Sequence, residues 1–217
     1  MRQIECFYDC SSPWTYLCVH NLPALAARPG ATIVWRPFLV GGVFNAVNPS
    51  VYQSRQTPVP AKAAYLAKSI TDWARLAGLA IHFPPPVFPV NSVKAMRACL
   101  WLDDPARQHR FALAVFDAYF GRGLDISQDD VLREVCERTG EDADAVFAGI
   151  ALPGIKDGLR ANTDELIARG GFGSPTMFVN DTDMYFGNDA LPLVEAALAR
   201  LGQAPVPQRV AGHDPRA

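Results

Sequence analysis

The spacing of apolar residues shifts along the chain and divides it into a strand–helix–strand opening, a long helical middle and a strand-rich close. Ile4 to Tyr8 is a short, mainly apolar run bounded by Asp9, the pattern of a buried strand. From Pro13 to about Ala27, Trp14, Leu17, Cys18, Asn21 and Leu22 recur at helical spacing, and Pro29-Gly30 ends the helix. Ala31 to Phe38, rich in β-branched and aromatic residues, reads as a second strand. Together these elements make a βαβ unit, for which a right-handed crossover is expected. Gly41 to Pro60 has no clear period and holds Asn48-Pro49 and Pro58-Val59-Pro60. That composition predicts a long loop, either functional or mobile.

From Ala61 the period is helical. Tyr65, Leu66, Ser69, Ile70, Trp73, Leu76 and Ala77 form one amphipathic face. After a proline-rich connector, His82 to Pro89, Asn91-Ser92 caps a helix through Leu102, and Phe111, Val115, Phe116, Tyr119 and Phe120 mark another that ends at Gly121. Ser127-x-x-Asp130 reads as a capping box before Val131 to Arg138. Further helices are expected around Asp142 to Gly149 and Ile155 to Arg169. The pattern changes again after Gly170-Gly171-Phe172-Gly173: Thr176 to Asn180 and Met184 to Phe186 read as a hairpin, and Asp189 to Leu201 as a closing helix. The order β-α-β, helices, β-β-α predicts an α/β domain formed by residues 1–60 and 170–202. A helical insertion occupies 61–169, and the Pro- and charge-rich tail, 203–217, is expected to be disordered.

Composition adds mainly exclusions. Of 217 residues 49% are hydrophobic and 19% charged, an ordinary globular balance, and the net charge of −2 offers no electrostatic case for nucleic acid or an anionic membrane. No apolar run is long enough to span a bilayer, and the N-terminus lacks a basic segment followed by an apolar one, so the expected compartment is the cytoplasm. The five cysteines, Cys6, Cys10, Cys18, Cys99 and Cys136, contain no Cys-x-x-Cys and suit buried, reduced thiols better than a disulfide framework. Scattered histidines give no metal-binding spacing, and no metal is expected.

The stretch that carries chemistry runs from Tyr8 to Leu17. A strand passing straight into a helix leaves the first helical N–H groups unpaired, and with the helix dipole they favour an anion just outside. Pro13 suits the first helical position, and Ser12 falls at the N-cap, where its hydroxyl caps the helix or meets a ligand. The two separated halves of the sheet can bring this turn against Gly173-Ser174-Pro175-Thr176.

These residues resemble a known family. Phe7-Tyr8-Asp9 followed by Ser11-Ser12-Pro13-Trp14-Thr15-Tyr16-Leu17 is similar to the opening of the 2-hydroxychromene-2-carboxylate isomerases and kappa-class glutathione transferases. Phe172 to Val179 resembles their cis-proline motif, and Phe186-Gly187-Asn188-Asp189 their glutathione-binding turn. Trp35-Arg36-Pro37-Phe38, Pro60-Ala61-Lys62 and Phe88-Pro89-Val90-Asn91-Ser92 also match, so the likeness covers about residues 3 to 200. It implies a thioredoxin-like fold of the DsbA type with a large all-helical insertion between the βαβ and ββα halves.

The resemblance also implies a cofactor, glutathione, and a catalytic residue, Ser12, which activates the glutathione thiol. Where redox relatives carry Cys-x-x-Cys, this chain has Ser12-Pro13-Trp14-Thr15, and a serine hydroxyl cannot perform dithiol exchange. Ser12, Pro13 and Trp14 would bind the cofactor together with Ser174 and a cis Pro175, whose neighbouring backbone pairs with an extended peptide. Asp189 would take the γ-glutamyl ammonium and Asn188 its carboxylate, while either residue also fits a helix cap. Lys62 would face the glycyl carboxylate or an anionic substrate. The implied substrate is an aromatic carboxylate, with Asn48 and Gln53 competing for one contact, Asn91 and Tyr65 as further candidates, and an aromatic wall drawn from Trp14, Phe38, Phe44, Tyr52, Tyr65 and Phe88. The family further suggests a homodimer and a place in aromatic-compound catabolism. Cys10 is either a site for a mixed disulfide or a small core residue. The competing readings are a kappa-type transferase that conjugates electrophiles, a non-catalytic thioredoxin-fold binding protein and, last, a thiol oxidoreductase using Cys10.

Overall fold

The computed structural model describes residues 2–201; the tail read above as disordered, 203–217, lies outside them. β1 (Gln3–Tyr8), α1 (Pro13–Ala27) and β2 (Thr32–Pro37) open the chain, and β3 (Thr176–Val179) and β4 (Asp183–Phe186) close its sheet. The sheet is four-stranded in the order β2-β1-β3-β4. β1 runs parallel to β2 with Ile4 opposite Ile33, and antiparallel to β3 with Cys6 opposite Met177. β3 and β4 form the expected hairpin, turned by Asn180 and Asp181 at positive φ. This is a DsbA-like thioredoxin fold with helices between its two halves.

Those helices begin earlier than the sequence pattern indicates. In place of a loop over Gly41–Pro60 stand α2 (Val40–Val47) and α3 (Ser50–Gln56), followed by α4 (Pro60–Ala77). The pattern was silent because α2 buries only Val40 and Val43 and α3 buries nothing, so neither shows a helical stripe. Gly42 has a packing reason: a Cβ there would stand 3.1 Å from the Thr163 methyl of the facing helix. α5 (Val93–Trp101), α6 (Pro105–Phe116), α7 (Asp129–Thr139), α8 (Ala143–Ala151) and α9 (Pro153–Ala168) complete the middle, and α10 (Leu191–Arg200) closes the chain after a short 3₁₀ turn at Asn188–Ala190. The capping box at Ser127 does not form. α7 starts after Gln128 without a side-chain cap, while Asp125 accepts the Ser127 N–H at 2.9 Å.

Period 2 along β1 explains why the core has two parts. Ile4, Cys6 and Tyr8 face the larger, with Met177 and Val179 of β3, Leu22 of α1, Met96 of α5 and Phe111 of α6. The helical middle and the sheet therefore share one core. Phe7 points the other way, into a smaller cluster with Phe38, Val43, Leu166 and Phe178. On this second face Glu5 is buried, and Arg169 reaches both its oxygens, at 2.9 and 3.1 Å, while lying 3.8 Å from the Phe178 ring centre.

A buried ion pair adds little by itself, but breaking one side leaves a charge without solvent or partner. Replacing Arg169 by Met is expected to lower the unfolding free energy by about 3–5 kcal/mol, and adding Glu5→Gln to recover most of that loss. Urea unfolding of the single and double variants reads both effects.

Candidate functional site

The site forms where β1 gives way to α1. Ser12 has extended backbone, φ −117° and ψ 126°, and Pro13 occupies the first helical turn. The Ser12 Oγ accepts the Thr15 N–H at 3.4 Å and donates to the Ser174 carbonyl at 3.4 Å. Both contacts sit at the long limit of hydrogen bonding, so the hydroxyl proton is weakly held and can turn to an anion at the helix start. Ser174-Pro175 is a cis peptide, as are Phe83-Pro84 and Phe88-Pro89, which sequence reading missed. The Ser174 Oγ lies 2.8 Å from Thr15 Oγ1 and accepts the Asp9 N–H at 2.9 Å. The Ser12 turn and the proline turn are thus joined directly, although 162 positions separate their central residues.

Beneath them lies Asp9, 1% exposed. Its Oδ1 accepts the Ser11 N–H at 2.9 Å and its Oδ2 the Val40 N–H at 2.8 Å. Burial pushes its carboxyl above the ordinary range, while the Val40 and Ser11 N–H groups and the Ser92 hydroxyl pull it down. Cys10 is fully buried, its backbone N–H meets Met96 Sδ at 3.2 Å, and burial pushes its thiol well up. Such a thiol is a packing residue and a poor nucleophile.

A cavity of about 510 Å³ opens over Ser12. Its lining includes Trp14, Phe44, Phe83, Phe88, Ile70 and Ser174, with Arg55 and Lys62 as its cations. The Arg55 guanidinium lies 5.6 Å from the Phe44 ring centre and 5.2 Å from that of Phe88. It also borders a neighbouring cavity of about 310 Å³ that holds Asp9, Tyr52 and Asn91. On the other side of Trp14 and Ser174 a third cavity, about 480 Å³, is lined by Tyr65, Ser69, Trp73, Phe186, Gly187 and Asp189.

Ser12, Pro13, Trp14, Lys62, Ser174 and Asp189 are therefore brought together around these cavities, with Pro175 buried behind them. Other expected contacts are placed elsewhere. The Asn188 side chain is 1% exposed and its Oδ1 accepts from Asn21 Nδ2 at 3.2 Å, so it ties α1 to the end of the chain and does not line the cavity. Asn48 donates to the Phe172 carbonyl at 3.1 Å, and neither it nor Gln53, exposed on α3, lines any of the three cavities. Phe38 is buried core rather than cavity wall. Sequence reading missed Arg55 because a single arginine in an aperiodic stretch carries no local signal. Phe83 and the site roles of Asp9 and Trp73 were missed too, although Trp73 follows Tyr65 and Ser69 at steps of four, a readable stripe.

The site is a thioredoxin-fold helix start with serine where redox relatives present a cysteine, an apolar cavity above that serine, and no thiol of its own on the cavity wall. The chain belongs to the DSBA-like thioredoxin domain family, which matches residues 3–199. A 2-hydroxychromene-2-carboxylate isomerase from Sphingobium xenophagum is 29% identical over 197 residues, covering 91% of this chain and 98% of its own. Glutathione S-transferase kappa 1 from Homo sapiens is 25% identical, covering 96% of each chain. A solved 2-hydroxychromene-2-carboxylate isomerase superposes with a TM-score of 0.78 at 26% identity, over 92% of this chain and 95% of that one. The relatives thus include isomerases and glutathione transferases. Among the described residues no helix is long and apolar enough to cross a membrane.

The raised Asp9 carboxyl has a signed consequence. A group whose pKa is higher folded than unfolded adds stability below its unfolded value, and loses it as pH rises through the folded value. The unfolding free energy of the native protein should therefore fall relative to Asp9→Asn as pH climbs from about 3.9, the free aspartate value. Denaturant titrations of both proteins across the acid range measure the changing difference, and a constant difference contradicts it.

Proposed function

We propose that the protein is a glutathione-dependent cis–trans isomerase acting on an aromatic carboxylate of the 2-hydroxychromene-2-carboxylate type. The observation that carries this reading is the loosely held Ser12 hydroxyl at the start of α1, open to an apolar cavity that contains a cation. The Ser12 hydroxyl donates to the glutathione sulfur and, with the helix N-terminus, favours the thiolate, whose proton leaves to solvent. The hemiketal ring opens first, its C–O bond breaking to give a ketone and a phenol that receives the hemiketal hydroxyl's proton. The thiolate then adds to the conjugated side chain, forming a carbon–sulfur bond and turning the reacting double bond single. Rotation about that bond and expulsion of the thiolate restore the double bond in the other geometry. No net oxidation occurs, and glutathione is regenerated.

Arg55 supports a carboxylate substrate in particular. Its guanidinium lies against Phe44 and Phe88, where a flat aromatic acid finds ring faces and a positive charge together. Lys62, which lines the same cavity, is assigned to the glycyl carboxylate of glutathione. Trp14 and the Ser174 backbone flank the thiol, Asp189 takes the γ-glutamyl ammonium, and Asn91 and Tyr65 border the adjoining cavities. A second reading, a kappa-type transferase, is favoured by the human relative; it keeps Ser12 and glutathione but ends in a stable thioether.

Glutathione titrated calorimetrically between pH 6 and 9 should bind with proton release near neutrality. Ser12→Ala should move that release to higher pH and lower turnover of 2-hydroxychromene-2-carboxylate about 100-fold, the usual loss for one donor to a developing anion. Conjugate accumulation without isomer marks the transferase. Binding without turnover of either kind leaves a binding protein, and no binding at millimolar glutathione sinks the cofactor.

Arg55→Gln should raise the KM for the aromatic acid about tenfold or more while leaving glutathione affinity unchanged, as expected for losing one charge-assisted bond of about 1.5–3 kcal/mol. An unchanged KM removes Arg55 from substrate recognition.

A further inference from the structure

A fourth cavity, about 730 Å³, lies between α2, α5 and α9 and shares no residue with the one above Ser12. Gly42 and Ala46 of α2 line one side, Arg97 of α5 another, and Lys156, Arg160 and Thr163 of α9 the third. Its walls are fixed by close packing. A Cβ on Gly158 would stand 3.2 Å from Leu100 Cδ2 of α5, and one on Gly42 3.1 Å from the Thr163 methyl. The buried Thr163 hydroxyl accepts the Leu39 N–H at 3.1 Å, and the buried Asn162 amide donates to the Pro37 carbonyl at 2.8 Å. Arg97 precedes Leu100 by three positions and shares its face of α5, so it is directed at α9.

The charges in this cavity are unusual for the molecule. Among the described residues, lysines and arginines away from the first and fourth cavities have partners. Arg2 donates to the Pro29 carbonyl, and the others lie in ion pairs. The exceptions are Arg55 and Lys62 in the first cavity, and Arg97, Lys156 and Arg160 in the fourth. Arg97 is half-buried, and its Nε is shielded from solvent without a hydrogen-bond partner. A buried charged donor left unpaired is costly, and in a native fold it marks a place for water or an ion. Asp157 and Asp164 also line the cavity, three and four positions from Arg160. At those spacings Arg75 and Lys68 pair with Asp72, yet neither carboxylate pairs with Arg160.

We propose that Arg97, Lys156 and Arg160 bind the phosphate of a small phosphate monoester whose apolar part rests on Leu39, Ala46 and Ile167. A terminal phosphate has three oxygens and close to two negative charges, which suits three converging cations; a carboxylate is satisfied by one guanidinium. The Arg97 fork presents its buried Nε–H as one of two parallel donors, and Lys156 and Arg160 meet the remaining oxygens. Asp157 and Asp164 offset part of the positive charge and so disfavour ligands with more than one phosphate. The site is independent of the glutathione reading.

Monobutyl phosphate and pentanoate, two head groups on similar chains, are titrated calorimetrically at low ionic strength, where exposed cations are least screened. The native protein should prefer the phosphate about tenfold or more. Lys156→Gln and Arg160→Gln should each weaken it about tenfold, the loss of one charge-assisted bond, whereas Arg55→Gln should leave it unchanged. Lys156 and Arg160 are exposed, so their variants should keep the native melting temperature. Equal affinity for the two head groups, loss on Arg55→Gln alone, or no binding at millimolar butyl phosphate overturns the site. Replacing Arg97 can disturb the packing of α5 on α9, so its readout comes from the native protein. In magnetic-resonance spectra of protein with isotope-labelled arginine side chains, the Arg97 Nε–H signal should move along the same binding isotherm. A signal that stays fixed at saturation overturns the site as proposed.

Discussion

The carboxylate of Asp9 holds together stretches of chain that lie far apart in sequence. One oxygen takes the Ser11 N–H and the other the Val40 N–H, while its own N–H binds the Ser174 hydroxyl. Through those bonds the Ser12 turn, the start of α2 and the proline turn are positioned from one buried point. Burying a carboxylate is costly, and the backbone donors offset that cost only when they converge with good geometry. A fold that keeps such a group has a reason to hold these segments in one arrangement. Here the segments are the floor of a cavity, and the arrangement aims Ser12 at it.

What Ser12 can do is limited by what surrounds it. All five cysteines are buried, and Cys10, the one beside the turn, is held beneath it with its thiol pushed well above the ordinary range. The helix start retains a feature that favours a thiolate, the positive end of the dipole, while the chain supplies no thiol to it. On the glutathione reading proposed above, the nucleophile comes from another molecule, and its orientation depends on the charged and aromatic groups around the cavities.

How much of this was legible depended on period. β1, α1, β2 and the closing hairpin follow from unbroken apolar runs and turn residues, and Ser12-Pro13 at the helix start follows from capping chemistry. α2 and α3 were invisible because a helix that buries one or two side chains has no stripe to read, and Asn48-Pro49 suggested a turn where there is a helix boundary. Arg55 was lost with them. Asn188 shows a different limit: its residue type suits a ligand contact, and in the fold its Oδ1 accepts from Asn21 while its buried Nδ2 has no protein partner among the described residues. Residue type names the chemistry available; only burial tells which neighbour uses it.

α4 brings these threads together, because folding alone gives little reason for its sequence. A helix that buries Ile70 and Ala74 contributes little to the core, and an exposed surface would ordinarily be filled with charged helix formers. Instead it bears two neighbouring stripes, Lys62-Leu66-Ile70 and Tyr65-Ser69-Trp73, each facing its own cavity. From Lys62 to Trp73 the helical rise is about 16 Å, longer than the roughly 10 Å of an extended tripeptide backbone. A single rigid element thus fixes the spacing of the two stripes, while Trp14 and Ser174 border both cavities. Placing both on one helix removes their relative motion, and the packing of α4 on α1 ties that helix to the element capped by Ser12. The shape of both cavities is then tied to the position of the Ser12 hydroxyl by the same packing contact.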